Sequence, residues 1–370
     1  MAAEAVHEPQ PRSRLRLRKA LRLIAAATTI LALGAAGAGA GPGSFGLPLV
    51  PAGFRVETFA EGLSHPTAMA YGPDGRVYVT ETDGSLVSIT RGTRKPRVRL
   101  RGLRTPLGLT WRGRTLFLSE KGRLERAVLS RGRLVRRKVL ASGLPYGEHQ
   151  QDNVVIGRDG RLYLGSGSTC DACRERDRRS AAVLSLRPDG RELRVYASGL
   201  RNPFGLAIQP SSGRLYATVN GQDALGNRSD PEPADTLVVV RRGARYGWPR
   251  CWANARTLRM NGHCGGVTAP AAYLEPHASA DGLAFYTGRS FPPAYRGSLF
   301  IAEWGQYYSR RFGRRVVRVE LKRDGRARRV VPFASGFEHP LALLVDRRGG
   351  LLVADWGSGI VYRIQADGRR

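Results

Sequence analysis

Gly62-Leu63-Ser64-His65-Pro66, the apolar run Thr67 to Tyr71, the turn Gly72-Pro73-Asp74-Gly75 and the strand core Val77-Tyr78-Val79 form a phrase that returns along the chain. Its strand cores recur as Leu116-Phe117-Leu118, Leu162-Tyr163-Leu164, Leu215-Tyr216-Ala217, Leu299-Phe300-Ile301 and Leu351-Leu352-Val353. Their central residues lie 39, 46, 53, 84 and 52 positions apart. The Gly-Leu connectors recur at Gly102-Leu103 with Pro106, Gly143-Leu144 with Pro145, Gly199-Leu200 with Pro203 and, as Gly-Phe, at Gly336-Phe337 with Pro340. The fifth unit lacks the phrase and keeps Gly282-Leu283-Ala284. Short strands repeating every ~40–50 residues cannot each bury an apolar face alone and stack as blades around an axis. The sequence therefore predicts an all-β fold, a six-bladed β-propeller of four-stranded antiparallel blades.

The repeat occupies most of the 370 residues, so one domain is expected over 53–370, after a linker at 41–52. The first 40 residues read differently. Arg12, Arg14, Arg16, Arg18, Lys19 and Arg22 precede the apolar stretch Leu23 to Ala36, and Ala38-Gly39-Ala40 offers small residues for cleavage. The expectation is export to the periplasm or beyond, with the segment either removed as a signal peptide or kept as a membrane anchor. Four cysteines suit an oxidising compartment. Cys170 with Cys173 and Cys251 with Cys264 are expected as two local disulfides, against a four-cysteine zinc site whose second pair lacks the usual spacing. The net charge of +30 raises nucleic acid as a partner. The arginines are dispersed over every unit without stacking aromatics, so nucleic acid is not expected.

Three connectors carry residues suited to chemistry. Glu148-His149-Gln150-Gln151-Asp152-Asn153 offers an imidazole between carboxylates, a general base oriented by Asp152 or Glu148, or else a surface histidine. Arg201-Asn202 sets a guanidinium beside an amide, suited to a planar ligand with carbonyl or carboxylate oxygens. Asn220-Gly221-Gln222-Asp223 follows the fourth strand core, where the glycine lets carbonyls approach a hard cation such as Ca²⁺. An acid stands three residues past the strand-core centre as Glu81, Glu120, Glu303 and Asp355, and is replaced by Ser166 and Val219 in the third and fourth units. Hydrogen bonding between blades is the plain expectation for those acids.

Together with Gly167 to Cys173, Gly199 to Ala207, Tyr246-Gly247-Trp248-Pro249 and Pro276-His277, these stretches resemble the pyrroloquinoline-quinone (PQQ)-dependent sugar dehydrogenase family, nearest its sorbosone dehydrogenase-like branch. The resemblance covers about residues 53–365 in unchanged order. It implies oxidation of a sugar, sugar alcohol or aldehyde hydrate, with electrons passed to a respiratory acceptor. His149 then takes the substrate proton, with Arg201 beside it in the catalytic set and Asp152 added from the reading of the residues alone. Arg201 and Asn202 hold the quinone oxygens, Asn220, His277, Arg315 and His339 contact the cofactor or its surroundings, and the carbonyls of Gly221 and Gln222 hold Ca²⁺. The chain departs from the family at Val219, Ala224, Thr236 and Val238, where acids or an amide are usual, and at Gly305 to Arg310. In the glucose-oxidising branch an acid orients the histidine from the position of Ser168. A propeller without cofactor, binding envelope glycans or proteins, is the competing expectation.

Overall fold

A computed structural model describes residues 46–90, 92–223, 233–306 and 310–368. The proposed leader, residues 41–45 of the linker, Ala224 and Tyr307 to Ser309 lie outside the described residues. Six four-stranded antiparallel sheets follow one another. Their innermost strands are Pro66–Tyr71, Gly108–Arg112, Gln151–Ile156, Leu206–Ile208, Ala280–Phe285 and Pro340–Val345. Each predicted strand core is the second strand of its blade. The long fourth interval is explained by an extra hairpin, Cys251–Asn254 with Arg259–Gly262, inserted before the blade's outer strand Ala272–Pro276.

The second strands are buried throughout because blades cover both of their faces. Six apolar clusters sit one between each pair of neighbouring blades. Leu86 and Leu103 meet Leu109 and Leu118 between blades one and two, for example, and Leu352 and Val361 meet Val77 and Val87 between blades six and one. At about 1.5–3 kcal/mol per large side chain buried, these wedges rather than any one sheet hold the ring. The ring closes with Phe54–Ala60, which pairs antiparallel with Ile360–Ala366 as the outer strand of the sixth blade. The stretch read as linker is tied down as well: Leu49 and Ser335 exchange backbone hydrogen bonds of 2.8 and 3.0 Å.

The repeated acids act within a blade rather than between blades. Glu81 accepts from the Ser64 amide at 2.8 Å, Glu120 from the Arg104 amide at 2.5 Å, and Asp355 from the amides of Glu338 and His339 at 2.8 and 2.7 Å. Each pins the Gly-x-x connector that leads into its own innermost strand. In the third blade Ser166 is too short for this, and Gln151 bridges instead, donating to Ser166 Oγ and Pro145 O and accepting from the Gly122 amide. Both cysteine pairs are disulfides, Cys170–Cys173 and Cys251–Cys264. Among the described residues no helix is long and apolar enough to cross a membrane.

Candidate active site

One cavity of about 690 Å³ opens at the channel mouth, lined among others by His149, Arg201, Asn202, Asn220, Gly221 and His277. That volume falls within the ~300–1,000 Å³ of ordinary small-molecule sites. Its walls include the three connectors flagged in the sequence, brought together because the entry to each inner strand and the exit from each second strand lie at the same end of the ring.

His149 is mostly buried, and its Nδ1 lies 2.9 Å from Ser168 Oγ. Ser168 donates its single hydroxyl proton to the Cys170 carbonyl at 2.7 Å. Nδ1 must therefore carry the hydrogen and donate to Ser168, which leaves Nε2 as the free acceptor. Burial, reinforced by the Arg201 charge, depresses the His149 pKa to about 4. The imidazole is neutral at ordinary pH, as a base must be.

Asp152 does not orient it. The inner strand of the third blade shifts register between Gln151 and Val154, and Asp152 is turned into the protein, 2% exposed, with Oδ2 unpartnered among the described residues. Burial, with the nearby Asp281 charge, raises its pKa well above the carboxylate range. Nor does the Glu148 side chain; its backbone amide bonds Thr169 O. Ser168 takes the orienting place, and sequence reasoning had marked that position only for lacking an acid.

Arg201 is 4% exposed and held from three sides. Its Nη2 meets Asp171 Oδ1 at 2.8 Å and Asp223 Oδ2 at 2.9 Å, and its Nε donates to the Asp171 carbonyl at 3.1 Å. Asn202 donates to Asn220 Oδ1 at 2.8 Å, and its own buried Oδ1 has no partner among the described residues. Asn220 in turn donates to the Ala280 carbonyl at 3.0 Å. His277 faces Asp223, Nδ1 to Oδ1 at 3.9 Å. Gly221 has no room for a side chain, since a Cβ there would lie 2.8 Å from the Ala234 carbonyl oxygen. Its amide donates to Asp235 at 2.8 Å, and Asp235 also accepts from the Ala280 amide. Burial raises the Asp235 pKa to about 6.

Asp235 immediately precedes the departure at Thr236, and Asp223 immediately precedes that at Ala224. Carboxylates thus reach the cavity from neighbouring positions. The sequence contained both aspartates, but only the folded ring shows them facing inward.

Three expected contacts lie elsewhere. Arg315 stands on the third strand of blade five and is committed to Glu303 at 2.6 Å and Glu275 at 3.0 Å. His339 is buried behind Trp304, stacked on it with ring centroids 3.8 Å apart, so that Trp304 rather than His339 faces the cavity. Gln222 lines a smaller neighbouring recess with Trp248, not the main cavity. Trp304 and Trp356 are cavity walls that the sequence reading did not single out.

Residues 110–354 match the family described as Glucose / Sorbosone dehydrogenase. The chain belongs to that family. Membership makes it a sugar dehydrogenase-type oxidoreductase built on a propeller. Among its relatives are an aldose sugar dehydrogenase of Escherichia coli K12, 23% identical over 70% of this chain and 80% of the relative, and an uncharacterised protein of Borreliella burgdorferi, 24% identical over 85% and 90%. Similar solved structures include the holo PQQ domain of a pyranose dehydrogenase from Coprinopsis cinerea (TM-score 0.74, 19% identity, 86% of this chain and 97% of that one). Another is a PQQ-bound aldose sugar dehydrogenase from Streptomyces coelicolor (TM-score 0.66, 21% identity, 86% and 100%). At these identities the solved structures establish the fold shared with this dehydrogenase family.

Proposed function

We propose that the protein is an exported, PQQ- and Ca²⁺-dependent dehydrogenase that oxidises an aldose or related sugar at its anomeric hydroxyl and passes the electrons to a respiratory acceptor. The observation that carries this reading is the tautomer of His149: a neutral imidazole whose free Nε2 is left to accept a proton in a ligand-sized cavity. The cavity's donor set fits the cofactor pair. The unsatisfied buried oxygen Asn202 Oδ1, with Gly221 and the carboxylates of Asp223 and Asp235, supplies the hard oxygen environment that calcium takes, and the Arg201 guanidinium supplies donors for quinone oxygens. When bound, the quinone supplies a two-electron hydride acceptor. Arg201 and the Asn202 amide N–H would hold its oxygens, and the main chain at Gly221 with Asp223 and Asp235 would hold the metal. His149 takes the hydroxyl proton at Nε2 while Ser168 keeps Nδ1–H in place; burial and the Arg201 charge then drive the imidazolium to release the proton, opposed in part by the charges of Asp223 and Asp171. Trp304, Trp356, Phe204 and Leu341 line the cavity with apolar surface.

Purified protein mixed with PQQ and Ca²⁺ should acquire the cofactor's absorbance and reduce a dye with at least one of a panel of aldoses. Absence of quinone binding would refute the proposal. One observation favours a second reading, a cofactor-free propeller that binds envelope glycans: Arg201 is already neutralised by two aspartates. Glycan binding without quinone binding in the same assay is its signature.

A further inference from the structure

The chemistry of the cavity leaves the small ring closed by Cys170 and Cys173 without a task, yet the ring touches the groups that matter. The Cys170 carbonyl accepts the Ser168 hydroxyl, which fixes the side of His149 that carries hydrogen. The Asp171 carbonyl accepts from Arg201 Nε at 3.1 Å and from the Trp248 indole at 2.9 Å. The Asp171 carboxylate pairs with Arg201 Nη2 at 2.8 Å and accepts the Asp223 amide at 2.7 Å. The segment from Ser168 to Glu175 belongs to no strand. Ser168 and Thr169 are tied by backbone bonds, Ser168 O and Thr169 O accepting from the amides of His149 and Glu148 and the Ser168 amide donating to Arg201 O; beyond them the conformation is held by the contacts above, the disulfide and Glu175, which accepts from the amide and hydroxyl of Thr169. A segment without ladder bonds samples many backbone states unless it is cross-linked. The base and the guanidinium approach the cavity from different connectors, and the ring is bonded to the guanidinium directly and to the base through Ser168.

We propose that the Cys170–Cys173 ring is a positioning element of the active site: it holds the Cys170 carbonyl and Asp171 where they fix the tautomer of His149 and the aim of Arg201. The inference rests on reading His149 as the base, but its test does not need turnover. Opening the ring takes two electrons and two protons from a dithiol reductant and yields two thiols. The loop then relaxes, Ser168 loses its fixed acceptor, and His149 samples both tautomers.

The test is ¹⁵N-histidine NMR on the full chain without added cofactor, comparing the native protein with a Cys170→Ser/Cys173→Ser variant. The native protein should show His149 in a single Nδ1–H form. The variant should show exchange between tautomers and a His149 titration midpoint at least one pH unit higher. Ser168→Ala should reproduce the mixed tautomer with the disulfide intact, and Cys251→Ser/Cys264→Ser should leave His149 as in the native protein. Affinity for PQQ with Ca²⁺ should fall at least tenfold when the ring is opened, through Arg201. A folded Cys170→Ser/Cys173→Ser variant with an unchanged His149 tautomer overturns the proposal. If that variant fails to fold, the same spectrum on native protein treated with a dithiol decides it. A native protein that binds no quinone sinks the proposed function, while the tautomer comparison still stands or falls on its own.

Discussion

Gly167→Ala is a single-methyl perturbation placed between the base and the amide expected to hold the quinone. A Cβ at position 167 would lie 2.4 Å from His149 Cβ and 2.6 Å from Asn202 Oδ1. Ordinary contact begins near 3.4 Å, so the His149 backbone or the Gly167 strand end must give by about 1 Å. Neither neighbour is the loose end of a long side chain. Overpacking of this kind costs about 1–3 kcal/mol of stability. A 1 Å displacement of a catalytic group costs on the order of 10²-fold in rate. The expected result is therefore a folded protein whose thermal midpoint drops by a few degrees and whose kcat/KM falls about a hundredfold, measured by dye reduction after loading with PQQ and Ca²⁺. Gly265→Ala is the matched control, because a Cβ there meets nothing within 4 Å. Native-like kcat/KM in Gly167→Ala would refute both the crowding argument and the placement of His149 in the reaction.

His149→Ala should cut kcat by about 10²–10⁴ with quinone affinity nearly unchanged, and native activity should hold from pH 5 upward and fall only as pH drops through about 4, read from a pH–rate profile. Because the folded state binds fewer protons at His149 than the unfolded chain between about 4 and 6.5, this residue makes stability rise with pH in that window. Asp235, raised to about 6, works in the opposite direction below that value. Urea denaturation at pH 4.5 and 6 should accordingly show that His149→Ala removes a positive slope of up to about 1.4 kcal/mol per pH unit. Arg201→Lys keeps the charge but loses the fork to Asp171 and Asp223, so calorimetric titration should show weaker quinone binding, and an unchanged Kd would remove Arg201 from the cofactor site. Phe54 packs edge-on against Phe291, Tyr295 and Phe333 at 4.8–5.3 Å, and Phe54→Ala should cost about 2–3 kcal/mol in chemical denaturation by loosening the closing strand.

The architecture was legible because each blade must repeat the same local solution: a glycine connector, an inner strand, a turn and a buried second strand. The acids at Glu81, Glu120 and Asp355 were visible as a pattern, but their partners were not, since a backbone amide leaves no mark in sequence. His149, Arg201, Asn202, Asn220 and Gly221 stood out in connectors and His277 through the family resemblance, and all six line one cavity because connectors converge at one end of a ring. Asp152 misled because the stretch reads as a connector, whereas the inner strand already begins at Gln151 and buries Asp152. Arg315 and His339 misled because partners distant in sequence, Glu275 and Trp304, claim them first. Ser168 was hidden for a different reason: its importance depends on which way its one proton points, and that is set by the Cys170 carbonyl.

The pairing of Phe54–Ala60 with Ile360–Ala366 also sets a rule for biogenesis. Val56 faces Ile364 across the last ladder, so the first strand of the ring to leave the ribosome waits for almost the last. Until then the ring has two open sheet edges and an unfilled apolar wedge between blades six and one, the kind of surface that invites pairing with other chains. Blades one to five form from neighbours close in sequence, but closure is a single late event of very high contact order. The two ends of this chain must therefore reach the same compartment before either is secure, which makes premature truncation near residue 360 more damaging to the whole ring than the loss of a few terminal residues suggests.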